Sequence, residues 1–114
     1  MNEEIGSLRL GAGENLHILI GRERFRINRA DLRPLLVHGH AVPVTTTLTE
    51  EMEDGTLITE TEIVGHAGLN LSGRAVRIFT TSGCFIIPLV SFRRVARGEA
   101  VSAPLFPLVA EGYP

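Results

Sequence analysis

Apolar residues fall at every second position over short stretches of the chain, and small turn-forming residues separate these stretches. The segment 16–20, LHILI, shows this period, and 23–27, ERFRI, resumes it after Gly21-Arg22. Side chains two residues apart lie on the same face of a β-strand. The pattern therefore predicts two half-buried strands joined by a tight turn.

The same pattern returns further along the chain. At an offset of 60 residues it pairs Ile18 with Ile78, Phe25 with Phe85, Ile27 with Ile87 and Arg33 with Arg93, and after one deletion Gly39 with Gly98, Ala41 with Ala100 and Val42 with Val101. The second tight turn is expected at Ser82-Gly83. Because one such unit is too small to cover its own apolar face, we predict two packed β-β-β-α-β copies, residues 7–44 and 68–104, related by a pseudo-two-fold axis.

A short helix is predicted in each copy before its last strand. Asp31 and Ser91 occupy equivalent positions and are expected to be N-cap residues, since their side-chain oxygens can accept a backbone N–H of the first helical turn. Pro34 then falls in the first turn, where its missing N–H costs no helical hydrogen bond. Gly39 and Gly98 are expected to end the helices in the left-handed conformation.

A β-hairpin, residues 45–67, is predicted between the two copies. Asp54-Gly55 is typical of a two-residue hairpin turn. Pairing about that turn places on one face Thr47, Thr49, Glu51, Glu53, Ile58, Glu60 and Glu62, and on the other Val44, Leu48, Leu57 and Ile63. The hairpin is therefore expected to be half-buried, with a carboxylate-rich outer face.

The fold class that follows is mainly β, a β-rich α+β domain. With about eight short strands and two short helices, we expect one domain over residues 1–114, built as a small barrel or sandwich. Pro104 and Pro107 argue against a central strand, so residues 104–114 are predicted to form an extended strap. Its apolar run would pack on its own barrel or reach to a neighbouring subunit.

Composition excludes several classes of protein. The 114 residues contain no apolar run of ~20 residues, and the amino terminus lacks the basic and apolar regions of a secretory signal, so a cytoplasmic protein without membrane contact is expected. Cys84, the one cysteine, lies in an apolar run and is expected to be buried. No nucleophile and base stand in a recognisable motif, so neither an enzyme nor a cofactor is predicted.

Charge is segregated along the chain although the net charge is only −2. All 11 basic side chains are arginines. The residues singled out as an anion-binding or subunit-pairing surface are Arg22, Arg24, Arg26, Arg93, Arg94 and Arg97, and the acidic face that could pair with them comprises Glu51, Glu53, Glu60 and Glu62. The phenylalanines that could stack on bases, Phe25, Phe79, Phe85 and Phe92, occupy apolar positions and are expected in the core.

Two functions remain open. Complementary charge blocks and an apolar tail favour a non-catalytic interaction or scaffold domain that forms a homo-oligomer. The alternative is an anion-binding module for nucleic acid or a nucleotide, since guanidinium groups match phosphate oxygens. His38, His40 and His66 could in principle supply imidazoles to a metal, but solvated loop histidines explain them better, and no metal is predicted.

Two segments resemble the signatures of PilZ domains, small β-barrels that bind cyclic diguanylate. They are RERFR, Arg22 to Arg26, and NLSGRA, Asn70 to Ala75, in which Ala75 replaces the family's glycine. The resemblance implies a cyclic-dinucleotide site formed by an arginine pair and an Asx-x-Ser turn.

Overall fold

A computed structural model describes residues 4–108 of the chain as a closed antiparallel barrel of eight strands. Each strand pairs with the next along the chain, and the last pairs with the first. The strands are β1 Gly6–Leu10, β2 Leu16–Ile20, β3 Glu23–Ile27, β4 Val42–Glu51, β5 Leu57–Leu69, β6 Ala75–Thr80, β7 Gly83–Pro88 and β8 Ser102–Pro107. The predicted mainly-β fold is confirmed, and of the two architectures left open, barrel and sandwich, the chain forms the barrel.

Two helices close one end of the barrel. Helix α1, Arg29–His38, connects β3 to β4, and α2, Leu89–Ala96, connects β7 to β8. Because neighbouring strands are antiparallel, both helices lie at the end where odd-numbered strands finish. The tight β2–β3 and β6–β7 turns and the long β4–β5 hairpin lie at the opposite end, where the Ser82 hydroxyl donates a hydrogen bond to Glu23.

The barrel interior is filled by the alternating apolar residues that the sequence pattern identified. Ile18 pairs with Phe25 across β2 and β3, and Ile78 pairs with Phe85 across β6 and β7. The largest fully buried side chains are Leu8, Leu16, Ile18, Ile27, Leu35, Val44, Val76, Ile78, Ile87, Phe92, Val95 and Leu105. Burial of this apolar surface is the main favourable term that holds the barrel together.

The helices begin earlier than their sequence suggested. Asn28 and Pro88 precede their first residues, so Asp31 and Ser91 lie within the first turn and are not N-caps. For α1, the side-chain oxygen of Asn15, distant in sequence, accepts the Arg29 backbone N–H at 2.8 Å. A residue outside the helix therefore does what a local cap would have done.

The ends of the helices follow the glycine pattern. Gly39 and Gly98 adopt φ of 67° and 74°, which confirms their predicted left-handed conformation. Because α1 starts at Arg29, Pro34 is an interior residue of the helix and not part of its first turn. The second tight turn is also one residue earlier than predicted, since Gly83 already belongs to β7.

Residues 102–107 close the barrel as β8, so the expectation that prolines exclude a strand here is wrong. The Leu105 carbonyl accepts from Ile5 on the β1 side, and the Leu108 N–H donates to Cys84 on the β7 side. Alternate residues face opposite neighbours, so Pro104 faces β7 and Pro107 faces β1. Pairing with β7 stops before Pro104, and pairing with β1 stops before Pro107, so neither ladder needs the missing N–H. The remainder of the predicted strap, 109–114, lies outside the described residues.

A hairpin arm, defined as residues 46–62, projects beyond the barrel. It is formed by the distal halves of β4 and β5, which run without a break from the barrel wall. The six arm residues of β4 span about 20 Å at strand spacing. The second strand of the predicted hairpin and the strand predicted to open the second copy are therefore one continuous strand, β5.

The tip of the hairpin arm is a three-residue loop and not the predicted two-residue turn. The Met52 N–H donates to the Thr56 carbonyl at 2.8 Å, and the Gly55 N–H donates to Met52 at 2.9 Å. Leu48 consequently pairs with Glu60, and Glu51 pairs with Leu57. A register change of one residue exchanges the two faces of a strand, so the predicted face assignments are wrong.

Two expectations about buried side chains are also wrong. Phe79 lies on the outer side of β6 and is only half-buried, because the inward positions of this strand are Val76 and Ile78. Cys84 lies on the outer side of β7 and is exposed. In both cases the apolar run contains residues of both strand faces, so hydrophobicity alone did not distinguish inside from outside.

Candidate functional site

The outer side of β1, β2 and β3 carries a cluster of positive side chains. Cross-strand pairing places Arg9 opposite His17, His17 opposite Arg26 and Leu19 opposite Arg24. Arg22 lies in the adjoining turn. We call this the cationic face: Arg9, His17, Arg22, Arg24 and Arg26.

A cavity of about 390 Å³ opens on the cationic face. Its lining combines guanidinium, imidazole and hydroxyl groups and contains no carboxylate. The lining residues are His17, Arg22, Arg24, Phe25, Arg26, Thr45, Thr46 and Thr47. The Thr45 and Thr46 hydroxyls donate to backbone carbonyls of β3, which fixes the neighbouring strand beside the arginines.

Within the described residues, no carboxylate forms an ion pair with an arginine of the cationic face. The pKa of His17 lies below its usual value, first because burial disfavours the imidazolium and then because Arg24 and Arg26 repel it. The Arg26 Nε is buried without a hydrogen-bond partner. The ion pair found among residues 4–108 joins Arg29 Nε to Glu14 Oε2 at 3.0 Å, and neither residue belongs to the cationic face.

The six arginines singled out from the sequence do not form one surface. Arg22, Arg24 and Arg26 line the same cavity, as the alternation suggested. Arg93 and Arg97 instead border a groove between α1 and α2, together with Arg33, at the opposite end of the barrel. Arg94 is exposed on α2, and its carbonyl accepts from Glu99 and Ala100.

The acidic residues are likewise divided differently from the prediction. Glu60 and Glu62 share one side of the hairpin arm with Glu50, whereas Glu51 lies on the other side and Glu53 lies in the tip. The physical reason is the longer loop, which shifts the register by one residue. Although Glu62 lines a cavity with Arg22 and Arg24, it forms no ion pair with either in the described chain.

Arg9 and His17 were missed by reasoning from the sequence. His17 could have been found, because a two-residue turn at Gly21-Arg22 places it directly opposite Arg26. Arg9 belongs to a strand whose partner depends on the closed barrel. Space for the His17 ring depends on Gly11, where a Cβ atom would lie 2.1 Å from the imidazole Cδ2.

The three histidines considered for a metal are not arranged as a ligand set. The rings of His38 and His40 lie 5.6 Å apart, while His66 stacks on Phe79 at 4.9 Å. Within the part of the chain that the structure describes, no group of three His, Cys, Asp or Glu residues is placed to hold a metal ion.

The two segments that resemble PilZ signatures lie at opposite ends of the barrel. Arg22 precedes β3 at the hairpin-arm end, whereas Asn70 follows β5 at the helix end. The Asn70 Oδ1 accepts from the Arg74 and Ala75 N–H groups at 3.0 and 3.2 Å, so this side chain stabilises its own turn. The segments therefore do not form the joint cyclic-dinucleotide site that the resemblance implied.

Comparison with known proteins adds no relative. No family model matches the chain, and neither the search of curated proteins nor that of solved structures returned a match. Among residues 4–108, neither helix has the length and apolarity that crossing a membrane requires.

Proposed function

We propose that the protein is a non-catalytic interaction domain that self-associates through its hairpin arm. The observation that carries this proposal is an arm of two strands with solvent on both sides. Residues 47–62 are all exposed. An isolated two-stranded ribbon is at best marginally stable in water, so contact with another surface would stabilise it.

The apolar side chains of the arm support a protein partner. Leu48, Met52, Leu57 and Ile58 are 42% to 65% exposed, although each is large and apolar. Single exposed apolar residues are ordinary, but several on one projecting element favour an interaction surface. Burying them in a subunit interface would remove this area from water.

The charge of the arm supports a partner of positive potential. It contains Glu50, Glu51, Glu53, Asp54, Glu60 and Glu62 and no basic residue. Carboxylates on neighbouring strands repel one another, and guanidinium groups from another chain would relieve this repulsion. The protein has such groups on its cationic face, which makes self-association the most economical arrangement.

Light scattering coupled to gel filtration tests the proposal at about 100 μM protein and low ionic strength, where a complex with Kd near 10 μM is mostly formed. We expect an oligomer that dissociates at high salt, because exposed ion pairs are screened beyond about 8–10 Å. A variant in which residues 48–60 are replaced by Asn-Gly should be monomeric and should still unfold in one cooperative transition. A wild-type protein that is monomeric at low salt would overturn the proposal.

Anion binding at the cationic face is the second candidate. It is favoured by the cavity that Arg22, Arg24 and Arg26 line without a carboxylate, and by the unpartnered Arg26 Nε. This function predicts salt-sensitive binding of single-stranded oligonucleotides that is lost in Arg24→Gln/Arg26→Gln. Absence of retention on heparin at low salt would remove it.

The internal repeat is proposed as the origin of this architecture. Both halves run in the order strand, strand, strand, helix, strand. Support also comes from register, because Ile18–Phe25 and Ile78–Phe85 are equivalent cross-strand pairs. A half-barrel that could not cover its apolar face alone would have been stabilised by a second copy.

A further inference from the structure

The hairpin arm has two chemically different sides. One side continues the inward-facing positions of β4, from Val42 and Val44 to Leu48 and Glu50. The register adds three residues of β5 to this side, Ile58, Glu60 and Glu62. It is therefore carboxylate-rich with two apolar residues, and we call it the acidic side of the arm.

The acidic side of the arm forms no ion pair with the cationic face of its own chain in the part of the chain that the structure describes. Arg24 and Arg26 point to the outside of the barrel, because Phe25 and Ile27 point inward. The acidic side continues the inside of the same wall. The two surfaces approach each other at the base of the arm, where Leu48 and Glu62 line a cavity with Arg22 and Arg24, but in the described chain neither Glu62 nor Glu60 forms an ion pair with an arginine.

The two surfaces match in spacing and in character. Glu60 and Glu62 are two residues apart on a strand, as are Arg24 and Arg26, so each pair is separated by about 7 Å. Leu19 is half-buried beside Arg24 on the cationic face, and Ile58 lies beside Glu60 on the arm. Both surfaces therefore combine a charged pair with an apolar side chain.

We propose that the acidic side of the arm from one copy docks on the cationic face of a second copy. The arm begins at Thr46, which lines the cationic cavity, so arm and face are adjacent in each chain. Adjacent surfaces allow two copies to exchange arms reciprocally about a two-fold axis, which closes the assembly as a dimer. This inference rests on the proposed self-association and specifies its contact surfaces.

The repulsion within each surface is the physical reason for this pairing. Arg22, Arg24 and Arg26 line one cavity without a carboxylate in its lining, so an approaching carboxylate meets positive potential there. Bidentate guanidinium–carboxylate pairs add orientation, because both groups are planar. The Thr47 hydroxyl beside the arginines can donate to a carboxylate oxygen, whereas the hydroxyls of Thr45 and Thr46 already donate to β3.

Charge reversal with complementation tests the docking. The face variant is Arg24→Glu/Arg26→Glu, the arm variant is Glu60→Arg/Glu62→Arg, and each alone should weaken self-association by roughly tenfold or more. Mixing the two variants should restore a dimer containing one copy of each. Cys84, the only cysteine and exposed, allows one variant to carry a fluorescent label so that anisotropy reports the mixed species.

A matched control is Arg93→Glu/Arg97→Glu, which reverses an exposed arginine pair at the opposite end of the barrel. It should leave the dimer unchanged. Restoration in the mixture cannot come from unfolded chains, so loss of fold in one variant is distinguished from loss of contact. If the arm-shortened variant is monomeric but both charge-reversal variants still dimerise, the docking is wrong and the proposed self-association stands. A monomeric wild type would remove both.

Discussion

The β2–β3 and β6–β7 hairpins have nearly the same interior and different exteriors. Facing the core, Ile18 and Phe25 of the first correspond to Ile78 and Phe85 of the second, and each set forms the same cross-strand pair. All four side chains are at most 5% exposed. The common interior shows what closing this barrel requires.

On the outside of the barrel, the first hairpin carries positive side chains, whereas the outward side chains of the second hairpin contact an aromatic ring. The outward positions are His17, Leu19, Arg24 and Arg26 in the first, and Arg77, Phe79, Cys84 and Ile86 in the second. In the second hairpin the Arg77 guanidinium lies 5.2 Å from the centre of the Phe79 ring, and His66 stacks on the same ring. These contacts cover part of the exterior with aromatic rings, although the Arg77 Nε, like the Arg26 Nε, is buried without a hydrogen-bond partner. The exterior of the first hairpin carries no aromatic ring that covers its arginines in this way. It is therefore the surface available to a partner.

The largest effect should come from the shared interior. Ile18→Ala and Ile78→Ala each remove a fully buried side chain, so each should lower the free energy of unfolding by about 2–5 kcal/mol. The outward substitutions Arg24→Ala and Cys84→Ala should change it by less than about 0.5 kcal/mol. Urea unfolding of the four variants checks this. Outward substitutions as costly as inward ones would break the division between interior and exterior.

The next largest effect concerns a glycine that each half of the barrel places against its neighbouring strand. A Cβ atom at Gly6 would lie 2.3 Å from the Leu19 carbonyl oxygen, and one at Gly65 would lie 1.7 Å from that of Phe79. Leu19 and Phe79 are equivalent at the 60-residue offset. Gly6 thus allows β1 to approach the Leu19 carbonyl of β2, and Gly65 allows β5 to approach the equivalent Phe79 carbonyl of β6.

We therefore expect Gly6→Ala and Gly65→Ala to destabilise the barrel by about 1–3 kcal/mol, with Gly65→Ala the more costly because its contact is closer. Gly68→Ala is the control, since the nearest atoms to its Cβ are 4.0 Å away on Ala41. Thermal unfolding of the three variants provides the measurement. Equal stability of the Gly65 and Gly68 variants would contradict the close approach.

The interior was predictable from the sequence because short-range signals were sufficient. Apolar alternation and the Gly21-Arg22 turn together place Ile18 opposite Phe25. The same reasoning failed at Asp54-Gly55, where one additional loop residue moved Glu51 away from Glu60. Turn length sets register, and dipeptide composition does not determine turn length.

Features that depend on distant neighbours were not predictable. Pro104 and Pro107 fit in β8 only because the adjoining ladders stop there, and Asn15 stabilises the start of α1 from another part of the chain. The cationic face was found in part, at Arg24 and Arg26. Its remaining members come from strands that the closed barrel brings alongside.

The smallest effect concerns a difference in titration between the hairpins. At the position where the second hairpin has Arg77, the first has His17, whose pKa is below its usual value of 6.5. Below pH 6.5 the unfolded chain binds a proton that the folded chain resists. His17 therefore contributes stability that is present above pH 6.5 and is lost as the pH falls towards its folded pKa.

Urea unfolding of the arm-shortened variant at several values between about pH 5 and pH 7.5 isolates this contribution from association. The loss of stability on acidification should be smaller in His17→Gln, and the difference between the two proteins belongs to His17. Arg24→Gln/Arg26→Gln should raise the pKa of His17 in an NMR titration but not restore it to 6.5, because burial is the larger cause of its depression. A full return to 6.5 would mean that the arginines alone set the potential of this face, whereas no change would mean that they are already neutralised and unavailable to a second copy.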